Sequence, residues 1–114
     1  MIIRTIIDDP YSLSPSKDKQ FPAVGCQVLY DKDCNPNGYL IIVITTEGEA
    51  GVKLPKTPIT DRVYSQLIDK LKLTDSIVVT VEFQRLRSFS YVFQSENGIT
   101  KTGVSLTASS MTVH

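Results

Sequence analysis

Apolar residues recur at every second position through most of this chain, and at helical spacing through one stretch only. Residues 2–7 are rich in β-branched side chains and run into Asp8-Asp9-Pro10, which stops a strand. Residues 11–20 carry the Ser, Pro and Lys density of a surface loop. From Ala23 onward, Val24, Cys26, Val28 and Tyr30 fall on one face and Gly25 and Gln27 on the other, as in a half-buried strand. Residues 31–38 are turn formers ending in Asn37-Gly38, and residues 39–46 are almost continuously apolar. Together they predict a long β-hairpin with Asn-Gly in its turn. Gly48 and Gly51 bracket a further turn, and Val52, Lys53 and Leu54 read as a short strand before Pro55.

The helical stretch follows. Val63, Tyr64, Leu67, Ile68 and Leu71 recur at helical spacing, with Arg62, Gln66, Asp69, Lys70 and Lys72 opposite. Thr57-Pro58 and Thr60-Asp61 offer N-caps, and Asp61 early and Lys70 and Lys72 late suit the helix dipole. The spacing predicts a helix over 60–73. Beyond it, Ile77, Val79, Val81 and Phe83 alternate with Val78, Thr80, Glu82 and Gln84, placing Phe83 in the core, and Tyr64 on the helix reads the same way. Phe89, Tyr91 and Phe93 alternate in turn after a bend at 85–88. Asn97-Gly98 predicts a second hairpin with 99–107 returning, and the small, polar tail 108–114 is expected to be flexible.

Strand, strand, short strand, single helix, strand, strand is the element order of an OB-fold. That fold is a five-stranded Greek-key barrel with its helix between the third and fourth barrel strands. The sequence predicts one such all-β domain over 1–114, with 2–7 as an added strand whose edge is open to another copy. The last barrel strand is either 89–94 or its hairpin partner. A β-sandwich decorated by one helix fits the same alternation.

Composition narrows the function classes. A chain of 114 residues, 41% hydrophobic and 21% charged, is an ordinary globular domain able to bury a core. Twelve basic residues balance twelve acidic ones, which argues against binding driven by overall positive charge, although the charge can be unevenly spread. Cys26 and Cys34 are too few for a disulfide framework, no apolar run is long enough to span a membrane, and the start lacks a signal peptide's basic residues and cleavage site. These point to a reducing, cytosolic setting.

Catalytic patterns are missing. The single histidine, His114, ends the sequence, which removes Ser–His and Cys–His arrangements and histidine zinc sites. No glycine-rich phosphate loop occurs. Asp8-Asp9, Glu47 and Glu49 sit beside turns, the usual place for solvated carboxylates. The run from Asp31 to Gly38 fails as a calcium loop, because Pro36 stands where glycine is needed and Ile42 where the bidentate glutamate belongs. The sequence therefore predicts a protein that is not an enzyme and needs no cofactor or metal.

Aromatic and basic residues carry more. Phe83, Phe89, Tyr91 and Phe93 interleave with Arg85 and Arg87, Tyr30 and Tyr39 flank the first hairpin turn, and Lys32, Lys53, Lys56 and Lys101 lie on or beside loops. Single-stranded nucleic acid is held by rings that stack on bases and by cations that follow the phosphates, at about 1–3 kcal/mol per stacked base. The candidate interface is thus Tyr30, Lys32, Tyr39, Lys53, Lys56, Arg85, Arg87, Phe89, Tyr91 and Lys101. If Phe89, Tyr91 and Phe93 face the barrel interior, it rests on Tyr30, Tyr39 and the cations.

The helix at 58–73 between strand groups, the hairpin around Asn37-Gly38 and the aromatic–basic stretch 85–93 give the chain a family likeness. It resembles the small single-stranded-DNA-binding proteins of phages, those of lactococcal phages in particular. The resemblance implies an OB-fold that coats single strands of DNA during replication, recombination and repair in the cytoplasm of the bacterial host. It also implies a homodimer or higher oligomer working beside phage recombination or replication proteins, and no membrane association. Bacterial relatives recruit partners through an acidic tail, whereas residues 105–114 hold no carboxylate side chain. Two other classes fit the composition: a virion or assembly protein built as a self-associating β-sandwich, its contacts made by 2–7 and 99–107, and a small protein that modulates an enzyme.

Overall fold

The computed structural model describes residues 2–16, 19–84, 87–94, 98 and 100–114. In chain order these form β1 (Ile2–Ile6), a 3-10 turn (Pro10–Leu13), β2 (Gln20–Tyr30), β3 (Pro36–Thr45), β4 (Gly48–Pro55), α1 (Pro58–Leu71), β5 (Ile77–Phe83), β6 (Phe89–Gln94) and β7 (Thr100–Val113). Five strands close a barrel in the order β2-β3-β4-β7-β5, with β5 returning to β2. The neighbours are antiparallel except β4 and β7, which run parallel from Gly51↔Ser105 to Lys53↔Thr107. With α1 between the third and fourth barrel strands, this is the OB-fold topology that the element order predicts. The closed barrel replaces the β-sandwich alternative. Among the described residues no helix is long and apolar enough to cross a membrane.

The core lies inside the barrel. Phe21, Ile41, Val43, Val52, Val79, Val81 and Leu106 are fully buried there, each side chain stabilising by about 1.5–3 kcal/mol through apolar burial. Phe83 packs partly buried at the edge of this cluster, its ring 5.5 Å from Phe21 and 5.1 Å from Tyr11. Helix α1 lays Val63 and Leu67 against it and contacts β2, β5 and β7. The helix starts two residues earlier than its spacing predicts because Thr57 is the N-cap. Thr57 Oγ1 accepts from the Thr60 amide at 3.1 Å, while Thr60 Oγ1 accepts from the Thr57 amide at 2.9 Å. Thr60 thereby fills the place that glutamate holds in the usual capping box.

Four further expectations are corrected. The loop 11–20 contains the 3-10 turn, and β2 begins at Gln20. The first hairpin turns at 31–35, with Asn37 and Gly38 already in β3, where Gly38 pairs with Leu29 and Asn37 falls at a register shift. Asp31 Oδ1 takes the amides of Asp33 at 2.9 Å and Asn35 at 3.0 Å, and Cys34 adopts φ +64°, so an Asx-type turn supplants the Asn-Gly turn. Gly51 sits within β4 rather than in a turn. The fifth barrel strand is the second half of β7, so the segment 108–114 expected to be flexible is strand through Val113, with Ala108 and Met111 buried.

The remaining strands form an extension. β6 pairs with the first half of β7, and β1 pairs with β6 from Ile2↔Phe93 to Ile6↔Phe89. β6 covers one side of β7 from Thr100 to Ser105 and β4 the other from Ser105 to Thr107, while β1 is paired on one side only. The tip of this hairpin, at 95–97 and 99, falls outside the described residues.

Candidate nucleic-acid interface

A groove of about 430 Å³ opens at the rim of the barrel where β2, β3, β4, β7 and the segment after β5 converge. Register places its exposed side chains. A shift in the β2–β3 ladder between Leu29 and Tyr30 turns Tyr30 out of the alternation that runs through Val28, leaving it 62% exposed. Gly38, the partner of Leu29, must be glycine, because a Cβ there would lie 2.6 Å from the Leu54 carbonyl oxygen. Lys53 pairs with Leu40 and Thr107 on the outer face of β4.

Arg87 is fixed by its neighbour. Ser88 is fully buried; its hydroxyl donates to the Gln84 carbonyl and accepts from the Thr107 amide, both at 3.3 Å, and its carbonyl accepts from the Ile7 amide at 2.9 Å. The Arg87 amide donates to the Gln84 carbonyl at 3.0 Å, and Thr107 Oγ1 donates to the Arg87 carbonyl at 3.3 Å. The backbone of Arg87 and Ser88 is therefore held in place while the Arg87 side chain is exposed. Tyr30, Lys53 and Arg87, from three separate elements, stand around the buried Gly38 and Leu54. Neither cation has an ion-pair partner among the described residues, where the one ion pair is Lys56–Asp61.

Other candidate residues lie elsewhere. Tyr39 is corrected from a stacking ring to a core residue: it is 5% exposed, stacks on Tyr64 with centroids 4.7 Å apart, and donates its hydroxyl to Asp61 Oδ1. Lys56 Nζ reaches the same Asp61 oxygen at 2.6 Å and lies 5.9 Å from the Tyr39 ring centroid, so its charge is matched at the start of α1. Its hydrogen bonds with Lys56 and Tyr39 hold the Asp61 carboxyl below the usual carboxylate range, and the same contacts raise Lys56 and Tyr39. Burial alone raises the Cys26 thiol. Lys32 is exposed in the 31–35 turn. Phe89 and Tyr91 sit half-buried on β6, outside the barrel. Arg85 lies outside the described residues, and of Lys101 the backbone in β7 alone is described.

Sequence reading missed Asn37, Gln84 and Thr107 as groove residues, because polar residues beside turns carry no period. It also passed over Arg4, whose guanidinium lies 5.2 Å from the Phe89 centroid; the signal was a lone charge within an otherwise uncharged strand. Among the described residues no group of three or more His, Cys, Asp or Glu side chains is placed to hold a metal ion. The fold thus defines an OB-fold protein with an aromatic and cationic groove at its barrel rim. Comparison of the chain with protein-family models, with curated proteins and with solved structures returns no match.

Proposed function

We propose that this protein binds single-stranded DNA without sequence specificity, as a non-enzymatic component of phage DNA replication, recombination or repair in the host cytoplasm. The observation that carries the reading is the convergence of exposed Tyr30 with Lys53 and Arg87, neither in an ion pair among the described residues, on one groove of an OB barrel. Tyr30 offers a ring for a base, and the two cations stand where a backbone lying along the groove presents phosphates. A neutral chain can do this because stacking, worth about 1–3 kcal/mol per base, does not depend on net charge. Self-association belongs to the same proposal. β1 presents an open edge with Ile3 and Ile6 more than half exposed, with no proline or bulge and with Arg4 as its one charge.

The test is a fluorescence-anisotropy titration with a labelled thymidine oligomer at low and high salt, with duplex DNA as competitor. The expected outcome is tight binding that duplex does not displace and that weakens with salt as phosphate contacts release counterions. No binding at low salt would overturn the proposal. Sedimentation across a concentration series reads the oligomer directly.

A further inference from the structure

We infer that the DNA path does not end at the barrel rim, and that the outer face of the extension, centred on Arg4 and Phe89, is a second stacking subsite. This rests on the single-strand reading above. The strand register makes the two surfaces one. Thr107 lines the groove opposite Lys53, and Ser105, two residues back along β7, shares its face. Ser105 pairs with Gly51 on the barrel side and with Phe89 on the extension side, and Phe89 pairs with Ile6. Gly51, Ser105, Phe89 and Ile6 are therefore one cross-strand row running from the barrel to the free edge. The next row is Gly103, Tyr91 and Arg4.

At its Arg4–Phe89 end this face repeats the ring-and-cation chemistry of the groove, while Glu47 and Glu49 line a pocket beside Tyr91 and Gly103. The Leu40 side chain lies over Gly51 and the Tyr91 ring over Gly103, where no Cβ would fit, so the way from the groove to Phe89 is surfaced by these two side chains and the small Ser105 between them. Phe89 is half-buried under the exposed Arg4, which has no ion-pair partner among the described residues. A ring with an adjoining guanidinium gives a base a flat platform and its phosphate a cation. A two-fold contact centred on Arg4 would set it against its own copy, which makes a second chain a poorer occupant there. From Tyr30 on β2 to Arg4 on β1 there are five interstrand steps along the sheet, about 24 Å at about 4.8 Å each. That span asks for more nucleotides than the groove alone.

The experiment compares thymidine oligomers of about 4 and about 16 nucleotides, the two ends of the range OB folds occupy. Wild type, Arg4→Ala and Arg4→Lys are titrated at several salt concentrations. Arg4→Ala should weaken the longer oligomer about 5- to 10-fold, lower its salt slope by about one, and leave the shorter within about twofold. Arg4→Lys should restore the slope but only part of the affinity, since charge returns and the flat guanidinium does not. Unchanged binding of both lengths would overturn the inference and leave Arg4 as a cover for Phe89. Equal weakening of both would also overturn it, placing the effect in the barrel groove. An altered mass with unaltered affinity would assign the face to a second copy. Failure of wild type to bind either oligomer would instead remove the single-strand reading itself.

Discussion

The two halves of β7 live in different environments. From Leu106 to Met111 the strand closes the barrel, and Leu106, Ala108 and Met111 are buried in the core. Before Ser105 it carries the extension, where Ile3, Ile6 and Val92 of the neighbouring strands are 40–58% exposed. Inside the barrel every strand is paired on both sides, whereas β1 is paired on one. Stability and surface work are thus divided along a single strand. The barrel supplies the buried apolar area, and the extension spends its side chains on a face that a partner can reach.

The largest test of that division is Leu106→Ala, which should cost about 3–4 kcal/mol as a cavity opens in a closed core. Ile3→Thr in the extension should cost less than about 0.5 kcal/mol, as for an ordinary surface site. Urea denaturation measures both, and similar losses would erase the distinction. Next come two tyrosines nine residues apart. Tyr30→Ala should weaken single-strand binding by about 1–3 kcal/mol without moving the melting temperature. Tyr39→Phe should do the reverse, costing about 1 kcal/mol of stability through the lost hydrogen bond while titrations with the oligomer stay put.

The Asp61 cluster sharpens this with pH. Its carboxyl lies lower in the folded chain than in the unfolded one, so its stabilisation is full above the ordinary carboxylate range and drains away as pH falls through the lower folded value. Lys56 and Tyr39 are raised, so their contribution is full below their ordinary values and declines in alkali. Thermal melts of Asp61→Asn should show a flatter pH profile at both ends. The smallest effect is at the hairpin tip. Cys34→Gly relieves a left-handed backbone at φ +64° but frees the unfolded chain, for a net gain of a few tenths of a kcal/mol, about the limit of a careful melt.

The barrel was legible because its inward positions keep period two through Ile77, Val79 and Val81, and because Val63 and Leu67 mark a helix at the right point in the order. The fifth strand was hidden by an irregularity. The ladder shifts between Glu82 and Phe83, so the buried residues of β7 fall at 106, 108 and 111 and the alternation is lost among serines and threonines. Within the site, Lys53 and Arg87 were recoverable as cations beside turns. The contrast between Tyr30 and Tyr39 was not, since both flank the same turn and a register shift between Leu29 and Tyr30 decides which ring faces water. Asp61 then claims Tyr39 across 22 residues of sequence, a contact no local pattern announces.

The chain leaves the barrel after β5 and returns to it along β7 at almost the same point, for the Gln84 amide donates to the Thr107 carbonyl at 2.7 Å. Between them, β6 and the part of β7 before Ser105 form an excursion outside the barrel, closed at its base by that contact. Such a detour can lengthen, shorten or disappear through splicing of adjacent ends, without re-threading the barrel or disturbing its closure. The OB barrel then acts as a fixed chassis, and the hairpin as an attachment whose length is free to change without altering the barrel's closure.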